Sequence, residues 1–373
     1  MRYPSGRGYP GFRRRRHRSH PSGRIIVTGT RRWLIALVIA AVALTLSGDV
    51  LPRAILGSMK KLDVGTTVSV RTEPATASVL DVAAWRRRGP QDCAELRCYQ
   101  TTAPLQETSE ISVLPGDDKK EAVIQAHTAL GRMQWHDSVR VARHSAFPVS
   151  GDSGALSAQG SLAGVLTGGE SGPLGRDGLH YRFPSTTEQK SYPFFDPWSL
   201  RSAPIDYVDK TEHYFLFHQD VAPVALGPNS PTLLHAEPLS GPASSFYSAE
   251  ELTTLGLRAA DPITLNPFYA ASRTLTVEPA SGRIIQEHEH RVVILAATEE
   301  EAQQAAAEEP SGRVLYRADT RWDADTVAAH ARAADRVVAT QQRMAVLAWV
   351  SKTLRLLIVL AFLLVLARAR RAH

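Results

Sequence analysis

Two runs of apolar residues, one near each end of the chain and each bordered by arginines, restrict this sequence more than any other feature. Trp33–Gly48, WLIALVIAAVALTLSG, carries no charge, and Leu354–Ala367, LRLLIVLAFLLVLA, carries only Arg355. Each is shorter than the ~20 residues that span a bilayer core. Extending the first to Leu56 admits Asp49 and Arg53, and extending the second back to Met344 admits Lys352. Charges near the ends of a span can snorkel to the interface. The sequence therefore predicts two transmembrane helices, at 31–56 and 346–367. A cleaved secretory signal is the rival reading of the first, but Leu46-Ser-Gly48 is a poor cleavage site and the basic leader is long for a signal.

Charge is distributed around these runs in a way that sets an expected topology. Residues 1–32 hold ten arginines and no acid, and residues 352–373 hold one lysine, four arginines and no acid. Removing those fifteen charges from the chain's 43 basic and 37 acidic side chains leaves about −9 for the middle. Basic flanks on the same side of both spans predict cytoplasmic termini and an extracytoplasmic middle. An acidic middle lacks the basic face of a nucleic-acid-binding domain, so no nucleic-acid partner is expected. Cys93 and Cys98 fall in this exported region, where two cysteines five positions apart are expected to form a local disulfide; a metal site would need further soft ligands, and none has matching spacing.

Between the spans the pattern is that of strands. The leader 1–30 is rich in Arg, Gly, Pro and His and is expected to be disordered. Strands are expected at Val64–Thr72, Arg97–Thr101, Glu110–Leu114, Glu121–Thr128, Ser138–Ala146 and Ser161–Leu166. In the second half they are expected at Ala203–Lys210, Glu212–Gln219, Arg273–Val277, Arg283–Ala297 and Arg313–Arg317. Glu278-Pro-Ala-Ser-Gly282 reads as a hairpin turn, and Ser248-Ala-Glu-Glu251 as a capping box opening a helix over Ala249–Arg258. Val327, Ala331, Ala334 and Val338 recur at helical spacing, so one long helix is expected from Asp323 to about Arg370. The predicted fold class is α+β: a mostly antiparallel β exported domain (57–320), an extracytoplasmic helix (321–345) continuing into the second span, and a basic tail (368–373). On an ideal helix rise, Asp49 lies at about the same depth in its span as Lys352 and Arg355 in theirs. Intramembrane charges usually pair, so Asp49 is expected to face one of the two.

Ten of the chain's 26 aromatic residues crowd into Gly178–Gln219, punctuated by Pro184, Pro193, Pro197 and Pro204. Such a block can be the core of a compact β domain or the lining of an apolar cavity. Its order is specific: Leu179-x-Tyr181-x-Phe183-Pro184, then Gln189-Lys190-x-Tyr192-Pro193-x-Phe195-Asp196-Pro197, then Arg201-x-Ala203-Pro204-x-Asp206-Tyr207. Together with Arg273-Thr-Leu-Thr-Val277-Glu278-Pro279-Ala-Ser-Gly282 and Glu289-His290, it resembles the signature of the actinobacterial porin PorA family. The resemblance implies a membrane protein with an exported domain, and one linked to lipoglycan and glycolipid biogenesis in the cell envelope beside MmpL-type transporters.

Chemistry-bearing motifs are few. Gly151-Asp-Ser153-Gly resembles a serine-protease nucleophile loop, but Ala155 follows where a second glycine is needed and no partner His has suitable surroundings, so a glycine-rich turn is expected. His288 and His290 share one face of a strand without an identifiable third ligand. Glu188, Asp196, Asp206 and Asp209 have no spacing that demands an acid–base pair, and no cofactor loop appears. The expectation is therefore a non-enzymatic, cofactor-free membrane protein that binds or hands on an envelope lipid or lipoglycan, with Tyr181, Phe183, Tyr192, Phe194, Phe195, Trp198 and Tyr207 lining its groove. The alternatives are a pore and a scaffold for envelope transporters.

Overall fold

A computed structural model describes residues 24–88, 93–309 and 312–371; residues 1–23, most of the leader expected to be disordered, lie outside the described residues. The fold is α+β, with mostly antiparallel sheets and two long apolar helices. The chain divides into two compact units: one takes residues up to Ala54 together with Arg343 onward, and the other is Ile55–Gln342.

The first unit is helical. Helix Arg24–Thr45 passes through a π turn, Leu46–Val50, into helix Leu51–Met59. Pro52 accounts for the turn: it has no N–H to give to Gly48 O, and its ring would press on that carbonyl, so the chain widens just before it. The second helix runs without interruption from Ala324 to Arg371. Arg32–Met59 and Ala324–Arg368 are long and apolar enough to cross a membrane. Trp33, Ile39, Trp349 and Leu364 are between 61 and 69 % exposed, a surface suited to lipid rather than water.

The second unit is built on two large sheets. The first has six strands in the spatial order Thr66–Arg71, Glu107–Pro115, Glu121–Leu130, Met133–Ala142, Gly154–Gln159, Glu170–Leu174. The second runs Tyr192–Asp196, Arg201–Lys210, Phe215–Ala225, Pro262–Glu278, Arg283–Ala296, Val314–Arg321, Ala75–Leu80, Gln100–Leu105, with Leu239–Pro242 added alongside Pro262–Glu278. All paired strands in both sheets are antiparallel.

Alternation along the strands puts one face of each sheet into a shared core. That core has two apolar clusters. One joins Leu130, Trp135 and Leu156 of the first sheet to Tyr269, Val293 and Leu295 of the second. The other joins Val113, Ile124 and Val139 to Phe217, Leu275 and Val277. On strand Pro262–Glu278, Leu275 and Val277 serve one cluster and Tyr269 and Ala271 the other. Arg273 lies between them, in phase with both, so this inward-facing charge marks the gap between the clusters.

Among the sequence readings that differ from what is observed, the expected strand Ser161–Leu166 is a tight hairpin of Ser161–Leu162 and Leu166–Gly168, turned by Ala163 and Gly164 at φ +55° and +75°. The expected strand Arg97–Thr101 is a 3₁₀ turn, Leu96–Tyr99, followed by strand Gln100–Leu105. The Cys93–Cys98 disulfide sits against that turn, with Cα atoms 6.4 Å apart. The expected strand Ser138–Ala146 instead occupies Met133–Ala142, because Gly131-Arg132 makes a two-residue turn with Gly131 at φ +61° and the strand begins directly after it.

Candidate functional site

The gap between the two apolar clusters is filled with charge. Arg273 bridges Asp196 and Glu289, with Nη2 2.7 Å from Glu289 Oε1. Arg291 joins Glu289 to Glu107, with Nη1 2.8 Å from Glu107 Oε2. Arg176 grips both oxygens of Asp137 at 2.7 and 2.8 Å, and the Tyr181 hydroxyl donates to the same carboxylate. Asp196 also accepts from Tyr269 Oη at 3.0 Å and from the Ser199 amide at 2.7 Å. Asp137, Arg176, Asp196, Arg273, Glu289 and Arg291 are all buried. Buried charges survive only when paired and hydrogen-bonded, which this chain of contacts supplies.

A cavity of about 100 Å³ opens among these groups, lined by His180, Tyr181, Asp196, Trp198, Arg273 and Glu287 among others. Five carboxylates line it (Glu107, Asp137, Asp196, Glu287, Glu289), against three guanidiniums at or behind its wall. Glu287 is half-buried and lines the cavity. Its carboxyl has no hydrogen-bond partner among the described residues, although its backbone carbonyl accepts from the Trp322 amide at 3.1 Å. Burial first, and then the neighbouring Glu289 charge, push its pKa up to about 7. Burial alone would also raise Glu289, but Arg291 and Arg273 overcome this and hold it below the ordinary carboxylate range. Burial, with Arg176 and Arg273 alongside, lowers His180 to about 3, so this ring is neutral. The cavity therefore has one carboxyl able to take and release a proton near neutral pH, inside an otherwise fixed ionic frame.

The aromatic block supports this frame rather than lining an apolar groove. Phe183, Tyr192, Phe194 and Phe217 pack face to edge and face to face in one cluster, with Tyr207 at its margin. Phe195 and Trp198 belong to the other cluster. Three of the rings lie against buried guanidiniums: Phe195 3.9 Å from Arg176, Trp198 5.1 Å from Arg291 and Phe194 5.6 Å from Arg273. Of the seven aromatics expected to line a groove, only Tyr181 and Trp198 reach the cavity, and the wall they meet is charged. Its volume also falls short of the roughly 300–1,000 Å³ of small-molecule sites.

The remaining candidates lie elsewhere. Asp206 accepts from Ser191, and Glu188 pairs with Lys190 on the surface at 3.1 Å. His290 is held between Asp319 (2.9 Å) and Glu309 (2.6 Å); burial opposes its charge, but the two carboxylates raise its pKa above the ordinary histidine value. In the helical unit, Arg355 Nη1 lies 2.6 Å from Asp49 Oδ2 and 3.4 Å from Thr45 Oγ1. Lys352 is exposed. A Cβ on Gly48 would overlap the Ser351 side chain, so this glycine allows the two helices to touch beside the charged pair.

Asp137, Arg176, Glu107 and Arg291 were not singled out from the sequence. A signal for some of them was present: Glu287, Glu289 and Arg291 share the phase of Ile285, Val293 and Leu295, as Arg273 shares that of Leu275, and a charge on the apolar phase of a strand is an inward charge.

Two apolar helices long enough to span a bilayer, in one chain with a β domain whose interior is ionic, point to a membrane protein. A family model described as Porin PorA matches residues 34–368, and the chain belongs to that family. Its relatives include a Porin PorA of Corynebacterium resistens, 24 % identical over 307 residues, covering 68 % of this chain and 74 % of that one. Another is a Porin PorA of Corynebacterium amycolatum, 24 % identical over 294 residues, covering 68 % and 75 %.

Proposed function

We propose that the protein is a porin-like component of the cell envelope, held in the membrane by two spans with both termini cytoplasmic and Ile55–Gln342 outside. The observation that carries the reading is the Asp49–Arg355 pair. It sits within the apolar stretches of both helices, with Arg53 and Lys352 nearby in sequence, at a π turn and beside Thr45, Gly48 and Ser351. Intramembrane ionisable groups face a bundle interior or a water-filled path, and π turns concentrate at functional positions. Two helices cannot enclose water alone, so the pore requires several copies arranged with this polar seam inward. The name of the relatives, Porin PorA, points the same way.

The reading is non-enzymatic. Transfer of a lipid or lipoglycan is less well supported, because the described interior offers a small charged cavity rather than an apolar tunnel. The test is planar-bilayer recording with the purified full chain. Discrete conductance steps are expected, with ion selectivity altered in Asp49→Asn and Arg355→Gln. A wild-type chain that inserts but leaves the bilayer as silent as buffer would remove the proposal.

A further inference from the structure

The outer face of the first sheet carries a second arrangement of chemistry-bearing side chains, remote in kind from the buried ionic frame. Strand register aligns six residues in one lateral row across six strands: Ser69, Glu110, His127, His136, Ser157 and Glu170. At its centre His127 and His136 oppose each other. Their ring centroids are 4.5 Å apart, the rings are near perpendicular at 82°, and their Nδ1 atoms are 2.5 Å apart. Both side chains are exposed, and so is Glu110 beside His127.

Two imidazole nitrogens aimed at each other across so short a gap leave room for one atom between them, a hydrogen or, with a small opening, a metal ion. The backbone maintains the approach: the strands are joined by the two-residue Gly131-Arg132 turn, and their register is unbroken from Glu121–Ala142 to Leu130–Met133. Inward neighbours Thr128, Trp135 and Asp137 are buried, so the histidines stand on a rigid sheet. Open hollows of about 320 and 410 Å³ flank the pair, one bordered by Ser69, Glu110 and Gln134 and the other by Gln125, Ser157 and Glu170.

We infer that His127 and His136 form a surface site for a divalent transition-metal ion of the class that prefers imidazole, such as Cu²⁺ or Zn²⁺. Metal–nitrogen bonds of about 2.0–2.1 Å place two ligand nitrogens roughly 3 Å apart, so the rings need to part by less than about 1 Å, within the reach of a small side-chain rotation. The ring that donates through Nδ1 carries its proton on Nε2 instead. Both Nδ1 lone pairs are then free, and no net proton is released from a neutral pair. Among the described residues no group of three or more His, Cys, Asp and Glu is placed to hold a metal ion, so the site rests on the two imidazoles already in place. Glu110, next in the row, is the carboxylate able to swing in as a third. Water or an external ligand fills the remaining positions from the flanking hollows, which makes the site open and exchangeable rather than a closed structural one.

The experiment is a Cu²⁺ titration of tag-free full chain in detergent, followed by calorimetry and by electron paramagnetic resonance. One ion per chain with nitrogen hyperfine splitting is expected. His127→Asn or His136→Asn is expected to weaken it at least about tenfold, and the double variant to abolish it; Glu110→Gln weakens it less and His288→Asn leaves it intact. Far-UV circular dichroism of each variant confirms that the sheet is retained. A double variant that binds Cu²⁺ with wild-type stoichiometry and affinity overturns the proposal, as does a wild type with no site, which would leave the pair sharing a proton only.

Discussion

Arg273 is the residue on which the buried frame turns, because it is 3 % exposed and holds two carboxylates from different strands. Replacing it by Met fills most of the space but leaves Asp196 and Glu289 facing each other without their cation. Breaking a buried pair in this way costs about 3–5 kcal/mol, so a loss of unfolding free energy of that order, read from denaturant melts as a lower midpoint at unchanged slope, is expected for Arg273→Met. Glu287 behaves differently, since burial and the Glu289 charge outweigh the pull of Arg273 and Arg291 on its carboxyl. Its folded pKa is raised above the ordinary 4.5, so the folded state holds its proton more tightly than the unfolded chain does. Its contribution is fully present below about pH 4.5 and is lost as pH rises toward 7. Glu287→Gln should therefore melt higher than wild type at pH 8, with the difference vanishing near pH 4.5; thermal melts of both proteins at the two pH values measure it. From the sequence, Asp196 was legible only in a family motif and as one of four acids without pair spacing, and Arg273 only as part of a family motif. That they meet depends on strand pairing across 77 residues, which local pattern does not encode.

At the scale of elements, strands with clear alternation were legible, and those relying on position in the sheet were not. Glu121–Leu130, Arg201–Lys210 and Arg283–Ala296 match the β-branched runs that predicted them to within two residues. Ala75–Leu80 was missed because its small residues carry little strand signal. Tyr192–Asp196 was missed because Pro193 argues against a strand; it lies at the edge of its sheet, where a missing N–H is tolerated. Helix Glu299–Glu308 was also passed over, although Thr298 caps the Glu301 amide at 3.2 Å in the pattern that revealed the Ser248–Glu251 capping box. The expected hairpin turn at Glu278–Gly282 does more than reverse the chain. Gly282 has φ +72°, and a Cβ there would overlap Phe183 O and Pro184 O. The turn also receives the Phe183 amide on Gly282 O at 2.9 Å, so the aromatic block docks on it. A left-handed conformation costs a non-glycine residue about 1–3 kcal/mol before any clash. Gly282→Ala should therefore lower stability by at least that much, while Ser248→Ala loses about 1 kcal/mol through its cap alone. Denaturant melts of the two variants, run side by side, distinguish a strained close approach from an ordinary cap.

For the whole molecule, charge distribution is the property the sequence shows most openly, since it depends on composition rather than contacts. Basic flanks beside both spans and an acidic stretch of about −9 between them favour cytoplasmic ends and an external middle, because arginines resist translocation while acidic domains pass. The disulfide-bonded Cys93 and Cys98 agree with an oxidising surrounding for that middle. They also simplify the test, because no free cysteine competes with an introduced one among the described residues. Glu212 is exposed in the turn between strands Arg201–Lys210 and Phe215–Ala225, and Arg370 lies in the last turn of the long C-terminal helix. In intact cells a membrane-impermeant maleimide should label Glu212→Cys at once and reach Arg370→Cys only after permeabilisation. The reverse pattern would place the ionic cavity, the histidine row and the disulfide in the cytoplasm, where the bridge would be reduced and the charge distribution would oppose the insertion it is read as directing.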